Sequence, residues 1–332
     1  MNRVKLGKTG IEVSKLALGA GPIPELMTED RRQQQVQVLR HAIDAGINWI
    51  DTAATYGGGK SEESLGLAFK QLGHPNVHVA TKVRLFPEDL GDIAGAVRRS
   101  LEGSLDRLGV TKVTLLQLHN SLTAKRGDEP TSLTPADVLQ GGILATMKQL
   151  QAEGLVDHLG ITGIGQPQAL RAVIQSGEFE TMQVPFGMAN PTAGFDLPDF
   201  AEANYGNVIG DCAAADMAVF AIRVYAGGAL LDAEPAKHTY TTKFFPLDLY
   251  ERDRRRGLEL ANRWKCNLDV QAAAVRFSAF HSQVTSAIVG FSETEHVDQA
   301  VRALDYDPSF PLSLAEKDLA CMKKLASLGV GP

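Results

Sequence analysis

Cysteine is scarce in this sequence of 332 residues. The three present, Cys212, Cys266 and Cys321, stand far apart and in no CxxC or Cys/His ligand spacing. That excludes a disulfide framework and a zinc site, and it suits a reducing cytoplasm. No stretch offers the roughly 18 uninterrupted apolar residues of a membrane span, and the start, MNRVKLGKTGIEV, carries charges and glycines where an export signal needs its apolar region. The expected location is cytoplasmic, without a membrane partner. Positive charge is not in excess: 33 Lys and Arg stand against 39 Asp and Glu, a net charge of −6. Without a general basic field, nucleic acid is excluded as a principal partner. Arg252 and Arg254 to Arg256 read as a solvated helix face rather than a phosphate patch. Linkers rich in Pro, Gly and Ser are missing too, so the chain reads as one domain over 1–332.

What is present is an ordinary globular composition, 44% hydrophobic and 22% charged, arranged as short apolar runs that alternate with amphipathic stretches. Strands are expected at Lys15 to Gly19, Asn48 to Asp51, Val77 to Lys82, Val113 to His119, Leu159 to Thr162, Met182 to Pro185, Ala218 to Ile222 and Ser286 to Val289. Helices are expected at Arg31 to Ala45, Glu62 to Leu72, Ile93 to Leu108, Leu139 to Glu153, Gln168 to Gln175 and Val297 to Leu304. Gly46, Gly73, Gly109, Gly154 and Gly177 stand where left-handed helix ends belong. Eight such strands close most economically into a (β/α)8 TIM barrel, an α/β fold, with an open doubly wound sheet as the alternative. Arg3 to Leu6 and Glu12 to Val13 around LGKTG form an N-terminal hairpin suited to cap the barrel bottom. Asn120 to Ala136, Tyr225 to Tyr250 and the tail after Leu304 are longer than a plain unit needs, and read as long substrate loops or pocket walls.

Several motifs imitate other chemistries. Gly59, Lys60 and Ser61 end like a P-loop, but its first glycine falls on Ala54. Gly163 and Gly165 begin like a dinucleotide fingerprint, but its third glycine falls on Gln168. His74 and His78 lack a carboxylate or cysteine at ligand spacing and read as a surface turn, so no metal is expected.

The informative polar residues are those at strand ends. Asp51 ends the second strand, Tyr56 follows it, Lys82 ends the third and His119 the fourth; in a barrel these ends are neighbours and converge on one pocket. Buried Asp and Lys are expected to pair. A phenol alone is a poor acid and a scarce base at neutral pH. A cation about 4 Å away, at an effective dielectric of about 20, contributes about 4 kcal/mol towards the phenolate, which makes Tyr56 the proton-transfer group. A neutral His119 orients the same substrate oxygen.

At this point the sequence resembles the aldo-keto reductases. The matching blocks run from LGKTGIEVSKLALG (Leu6 to Gly19) through INWIDTAATYGGGKSEESLG (Ile47 to Gly66), VATK (Val79 to Lys82), SLDRLGVTKVTLLQLH (Ser104 to His119) and LQAEGLVDHLGITG (Leu150 to Gly163). They continue in QVPF (Gln183 to Phe186), AIRVYAGGAL (Ala221 to Leu230) and AIVGFSETEHVDQAV (Ala287 to Val301). The resemblance implies that Asp51, Tyr56, Lys82 and His119 are the catalytic tetrad of a hydride transfer between a nicotinamide and a carbonyl or alcohol carbon. It implies further that Gly19, Ala20 and Asp51 border the nicotinamide, Gln183 holds its carboxamide, and Thr162 and Gly163 stand where most members have Ser-Asn. Ile222 stands where many stack a Tyr, while Arg223, Val224 and Gly227 replace the loop that wraps the pyrophosphate, with Arg223 a candidate to meet it. Gly290, Phe291, Ser292, His296 and Gln299 fall at the adenosine end. There the family's Lys and Arg for the 2′-phosphate are replaced by Gly290 and His296, so the cofactor is NAD or NADP with a lean to NAD.

The motif pattern is nearest to the L-galactose and aldose dehydrogenase-like branch. The expected activity is NAD(P)-dependent interconversion of a small aldehyde, ketone or aldose with its alcohol or lactone, the partner being a small carbonyl or polyol substrate. The alternative is a cofactor-binding redox sensor or regulatory binding protein that keeps the enzyme site. A substrate panel separates the two.

Overall fold

The structure is a computed structural model that describes residues 1–21, 31–198, 200, 203–235, 240, 246–263 and 270–305. Cys266, Cys321, most of the tail after Leu304, and 236–239 and 241–245 of the expected substrate loop lie outside the described residues.

Two short strands, β1 (Arg3–Lys5) and β2 (Glu12–Ser14), pair antiparallel. Eight more follow: β3 (Leu16–Gly19), β4 (Trp49–Asp51), β5 (His78–Val83), β6 (Val113–Leu118), β7 (Val156–Thr162), β8 (Thr181–Pro185), β9 (Ala218–Ile222) and β10 (Ser286–Val289). They form a closed parallel barrel in the order β10-β3-β4-β5-β6-β7-β8-β9. The helices are α1 (Arg32–Asp44), α2 (Lys60–Gln71), α3 (Ile93–Leu108), α4 (Pro135–Leu139), α5 (Ile143–Ala152), α6 (Pro167–Ile174), α7 (Val208–Ala214), α8 (Leu247–Arg263), α9 (Val270–Ala279) and α10 (Thr294–Leu304). None of the described helices is long and apolar enough to cross a membrane.

α3 shows how the sequence writes one unit. The Asp92 carboxylate accepts from Gly95 N at its start, Ala96, Val97, Leu101, Leu105 and Leu108 turn one face inward, and Gly109 ends it at φ 65°. Gly46, Gly73, Gly154 and Gly177 also have positive φ, as their positions after helices predict.

The strands are buried on both faces, so two cores result. Outside the barrel the helices cover a large continuous cluster. Inside it, Ala17, Trp49, Ala80, Leu115, Ala218, Phe220 and Ile288 pack with Leu6 and Val13 of the hairpin region, which close the end where the strands begin. The Asn48 side chain ties the hairpin down, accepting from Ser14 N at 2.8 Å and donating to Glu12 O at 2.9 Å. At Gly7 (φ +50°) a Cβ would fall 2.8 Å from the Asp216 carbonyl, so the hairpin seats only with glycine there.

Three features differ from the sequence reading. The helix expected over Leu139 to Glu153 starts only at Ile143, because Gly142 adopts φ 98° just before α5, and the short α4 ends at Leu139. α7 and α9 were not expected; α7 is short, and the alanine run of α9 has weak amphipathic contrast. Of the α8 arginines read as a solvated face only Arg255 is exposed: Arg256 is buried and donates to Ala189 O at 3.0 Å, Arg252 meets Asp253 at 2.6 Å, and Arg254 meets Asp232 at 2.5 Å. α8 lies along the turn at Ala226–Leu231, which turns those side chains inward.

Candidate active site

Side chains alternate along a strand, so the polar residues that face the barrel axis near the ends of β4, β5, β6 and β8 share one layer. Asp51 and Lys82 are almost wholly buried there, with Lys82 Nζ 2.7 Å from Asp51 Oδ2. The ammonium also donates to Thr52 O at 2.6 Å and to the Tyr56 hydroxyl at 3.3 Å. Burial works against the cation, but the charges and hydrogen bonds of Asp51 and Tyr56 outweigh it and leave Lys82 above the usual lysine range. The lysine is therefore charged at neutral pH.

Tyr56 opens the turn Tyr56–Gly59, in which Gly57 and Gly58 are left-handed (φ 60° and 65°). That geometry, cheap only for glycine, folds the chain back so that the phenol leans over the barrel mouth. The loop after β3 passes close by: a Cβ on Gly21 would stand 4.0 Å from the Tyr56 ring. His119 follows β6, anchored through its N–H to Val83 O at 2.8 Å, with its ring edge-on to Tyr56 at 5.7 Å. Burial first, then the charges of Lys82 and Arg84, hold the imidazole well below its usual range, so it is neutral. Its Nδ1 is buried without a hydrogen-bond partner among the described residues. Asp51, Tyr56, Lys82 and His119 are thus brought together as their strand-end positions predict.

Gln117, missed in the sequence, completes the layer. Its Nε2 donates to Asp51 Oδ1 at 3.3 Å and to Gln183 Oε1 at 3.1 Å, and Gln183 Nε2 donates to Asp51 Oδ2 at 3.2 Å. The signal was there: Gln117 stands two residues before His119 on the same strand face. Outside the barrel, the first turn of α2 grips both strands. Ser61 Oγ lies 2.8 Å from Thr52 Oγ1 and donates to Ala20 O at 2.5 Å; Glu62, fully buried, accepts from Thr81 Oγ1 at 2.5 Å and from Arg107 Nε at 2.8 Å. Residues so far apart in the chain leave no local signal.

The remaining sequence candidates ring the mouth. Gly19 and Ala20 line a cleft with Gly21, Ser61 and Phe291. Thr162 spends its hydroxyl on Leu118 O at 3.2 Å. A Cβ at Gly163 would fall 2.7 Å from Met182 Sδ and 3.0 Å from Val184 Cβ, so a larger residue there needs the Met182 side chain to shift. Ile222 ends β9, and beyond it Arg223, Ala226, Gly227 and Gly228 all have positive φ. Tyr225 (φ −100°) precedes Ala226 (φ 51°), and the Ala226 and Gly228 N–H groups close the turn by donating to Arg223 O at 2.8 Å and Tyr225 O at 2.9 Å. The Arg223 side chain is part-buried, burial works against its charge, and Tyr205, Asp253 and Tyr56 feel that charge. Past β10, Ser292 Oγ lies 3.1 Å from His296 Nδ1, Gln299 accepts from Gln271 at 2.8 Å, and Glu295 joins the first turn of α10 after Glu293. Val224 and Phe291 are buried, and Gly290 is exposed.

Comparison with known proteins agrees with this geometry. A model of the Aldo/keto reductase family matches residues 15–315. L-galactose dehydrogenase of Arabidopsis thaliana is 32% identical over 161 residues, 48% of this chain and 47% of that protein, so the chain spans about half the length of this relative. D-threo-aldose 1-dehydrogenase of a Pseudomonas species is 26% identical across 93% of this chain and 95% of its own. An aldo-keto reductase from Klebsiella pneumoniae, solved in complex with NADPH, superposes with a TM-score of 0.67 at 25% identity, covering 98% of this chain and 95% of that one.

Proposed function

The chain belongs to the aldo/keto reductase family, and from that premise we propose that it interconverts a small aldehyde, ketone or aldose with its alcohol or lactone, using a nicotinamide dinucleotide. The observation that carries this reading is the Tyr56 hydroxyl 3.3 Å from a lysine whose charge Asp51 secures. When bound, the dinucleotide supplies or accepts the hydride at its nicotinamide ring. In reduction Tyr56 donates its phenolic proton to the carbonyl oxygen, and in oxidation it takes the proton back. Lys82 stabilises the phenolate, Asp51 holds Lys82 in place, and the neutral His119 ring orients the substrate oxygen.

The residues present fit such a cofactor. Gln183 offers an amide to the carboxamide, flanked by Asp51, Thr162 and Gly163, with Gly19 and Ala20 beside it. Ile222 offers an apolar face to the ring. Arg223, Val224 and Gly227 belong to the loop beyond β9 that stands at the place of the pyrophosphate, and the Arg223 guanidinium offers it a positive charge. Gly290, Phe291, Ser292, His296 and Gln299 border the adenosine. The NADPH complex of the Klebsiella relative gives no support to a lean towards NAD. That lean rests on this chain alone, on Gly290 and His296 in place of fixed cations and on the acidic Glu293 and Glu295, which repel a 2′-phosphate.

Replacing Tyr56 by Phe removes the transferable proton and one acceptor of the Lys82 ammonium, which keeps Asp51 and Thr52 O. Turnover of a carbonyl panel should fall by about a thousandfold or more, at the upper range of general acid–base contributions, while dinucleotide affinity stays within about threefold. Unchanged turnover in Tyr56→Phe would overturn the mechanism. Failure of the wild-type protein across the panel, with tight dinucleotide binding, would favour the sensor instead.

A further inference from the structure

Arg84 stands two residues beyond Lys82, immediately after β5, and its role is not that of the four groups at the barrel mouth. Its Nε and Nη2 donate to the carbonyl oxygen of His119 at 3.3 and 3.1 Å. One edge of the guanidinium is thereby fixed to the backbone of the residue whose ring faces Tyr56. The other edge, Nη1 with the second proton of Nη2, is the pair of parallel donors that a carboxylate accepts.

Among the described residues that carbonyl is the only hydrogen-bond partner of Arg84. Other partly buried arginines are treated differently: Arg98, Arg107, Arg171 and Arg254 each meet a carboxylate. Arg84 is itself partly buried, and burial works against its charge. A cation removed from water without an anion is costly unless something repays it.

The surrounding charges do not supply that anion. Lys82 is balanced by Asp51, Arg223 faces Asp253 and Tyr205, and Glu129 acts on Tyr205. The charge of Arg84 is felt at His119 and Tyr56, the two groups between which a reacting oxygen would sit.

We propose that Arg84 binds a carboxylate of the substrate, so that the reacting compound is a carbonyl acid or hydroxy acid whose carboxylate lies on the β5 side of the reacting carbon. One fixed guanidinium matches a single negative charge and a planar acceptor, which favours a carboxylate over a phosphate. The inference rests on the oxidoreductase reading above and specifies the substrate class of the same site.

The test uses the full chain loaded with dinucleotide and pairs of aldehydes that differ only in charge: 4-carboxybenzaldehyde against 4-carbamoylbenzaldehyde, and succinic semialdehyde against its amide. The expected result is a kcat/KM at least about tenfold higher for the acid in each pair. Arg84→Met should bring that ratio close to unity, with Arg84→Lys in between. If Arg84 merely braced the His119 backbone, its loss would slow acid and amide alike and leave the ratio unchanged. An unchanged ratio, or no preference in the wild-type protein, overturns the inference while leaving the oxidoreductase reading intact. Turnover of neither member of a pair counts against the oxidoreductase reading instead. Calorimetric binding of 4-(hydroxymethyl)benzoate and its amide then decides the role of Arg84: tighter binding of the acid that disappears in Arg84→Met supports it, and equal binding refutes it.

Discussion

His119 is pushed towards neutrality by burial, then by Lys82 and Arg84. His78 and His281 are lowered as well, each by burial first. Below the ordinary histidine range the unfolded chain takes up protons that these folded imidazoles refuse, so the unfolded state binds more protons and stability rises with pH. The contribution is complete above about pH 6.5 and is lost as the pH falls below it. Urea midpoints measured between about pH 5 and 7.5 should therefore fall on the acid side, and His119→Asn should flatten the slope. A slope unchanged in the variant would mean that His119 carries its charge in the folded protein. Gln117 raises a different issue at the same scale. Replacing it by Leu leaves Asp51 Oδ1 and Gln183 Oε1 without the donor each now has from Gln117. Lost donors to buried acceptors cost about 1–3 kcal/mol. We expect a stability loss in that range and a rise in the dinucleotide KM, because the Gln183 amide becomes free to rotate. A rise in substrate KM alone would place Gln117 elsewhere in the cycle.

Among the elements, α2 bears most directly on the chemistry, because its first turn braces the strands that carry the reacting groups. Ser61 holds Thr52, whose carbonyl receives the Lys82 ammonium, and Glu62 holds Thr81, the neighbour of Lys82 on β5. Glu62 is fully buried and bound to Arg107, which is about a quarter exposed. Breaking a fully buried pair costs about 3–5 kcal/mol. Because Arg107 reaches water, Glu62→Ala should cost less, about 2–3 kcal/mol in chemical denaturation. Its kcat should drop with little change in dinucleotide KM, as β5 loosens behind Lys82. Glu62→Gln, which can keep the Thr81 hydrogen bond, should recover part of the kcat. A variant as stable as the parent would show that the clamp is idle.

At the scale of the molecule, the closed barrel joins the ends of strands far apart in sequence, with Gly19 of β3 paired to Asp51 of β4 and Gln183 of β8 to Phe220 of β9. On the function proposed above, a dinucleotide held from β3, β8, β9 and β10 would bridge these elements and stabilise them together. At about 100 times its Kd it should add about 2.7 kcal/mol. We propose that the chain unfolds as one domain, so calorimetry should show a single transition that moves upward as a whole with added cofactor. NAD should move it at least as far as NADP. NADP binding tighter by more than about tenfold, or about 1.4 kcal/mol, would reveal a cation at the adenosine end that offsets Glu293 and Glu295.

The barrel strands were legible because each is a short apolar run, and Asp51, Lys82 and His119 because a charged or polar residue at the end of such a run has no reason in packing to be there. Helix ends were legible where a glycine takes positive φ, as at Gly109. At Gly142 the same residue type, at positive φ, precedes the start of a helix that the sequence pattern places from Leu139. Gln117 and Arg84 lay within reach of the period-2 rule applied to His119 and Lys82. By itself the sequence determined which side chains face the axis, since alternation along a strand is local geometry. The sequence raised the expectation of a charged Lys82 and a neutral His119, but only the tertiary structure supplied the burial and partners that decide both, and it alone placed Glu62 behind Thr81. These depend on desolvation and on partners brought close by barrel closure, and neither quantity exists until distant segments meet.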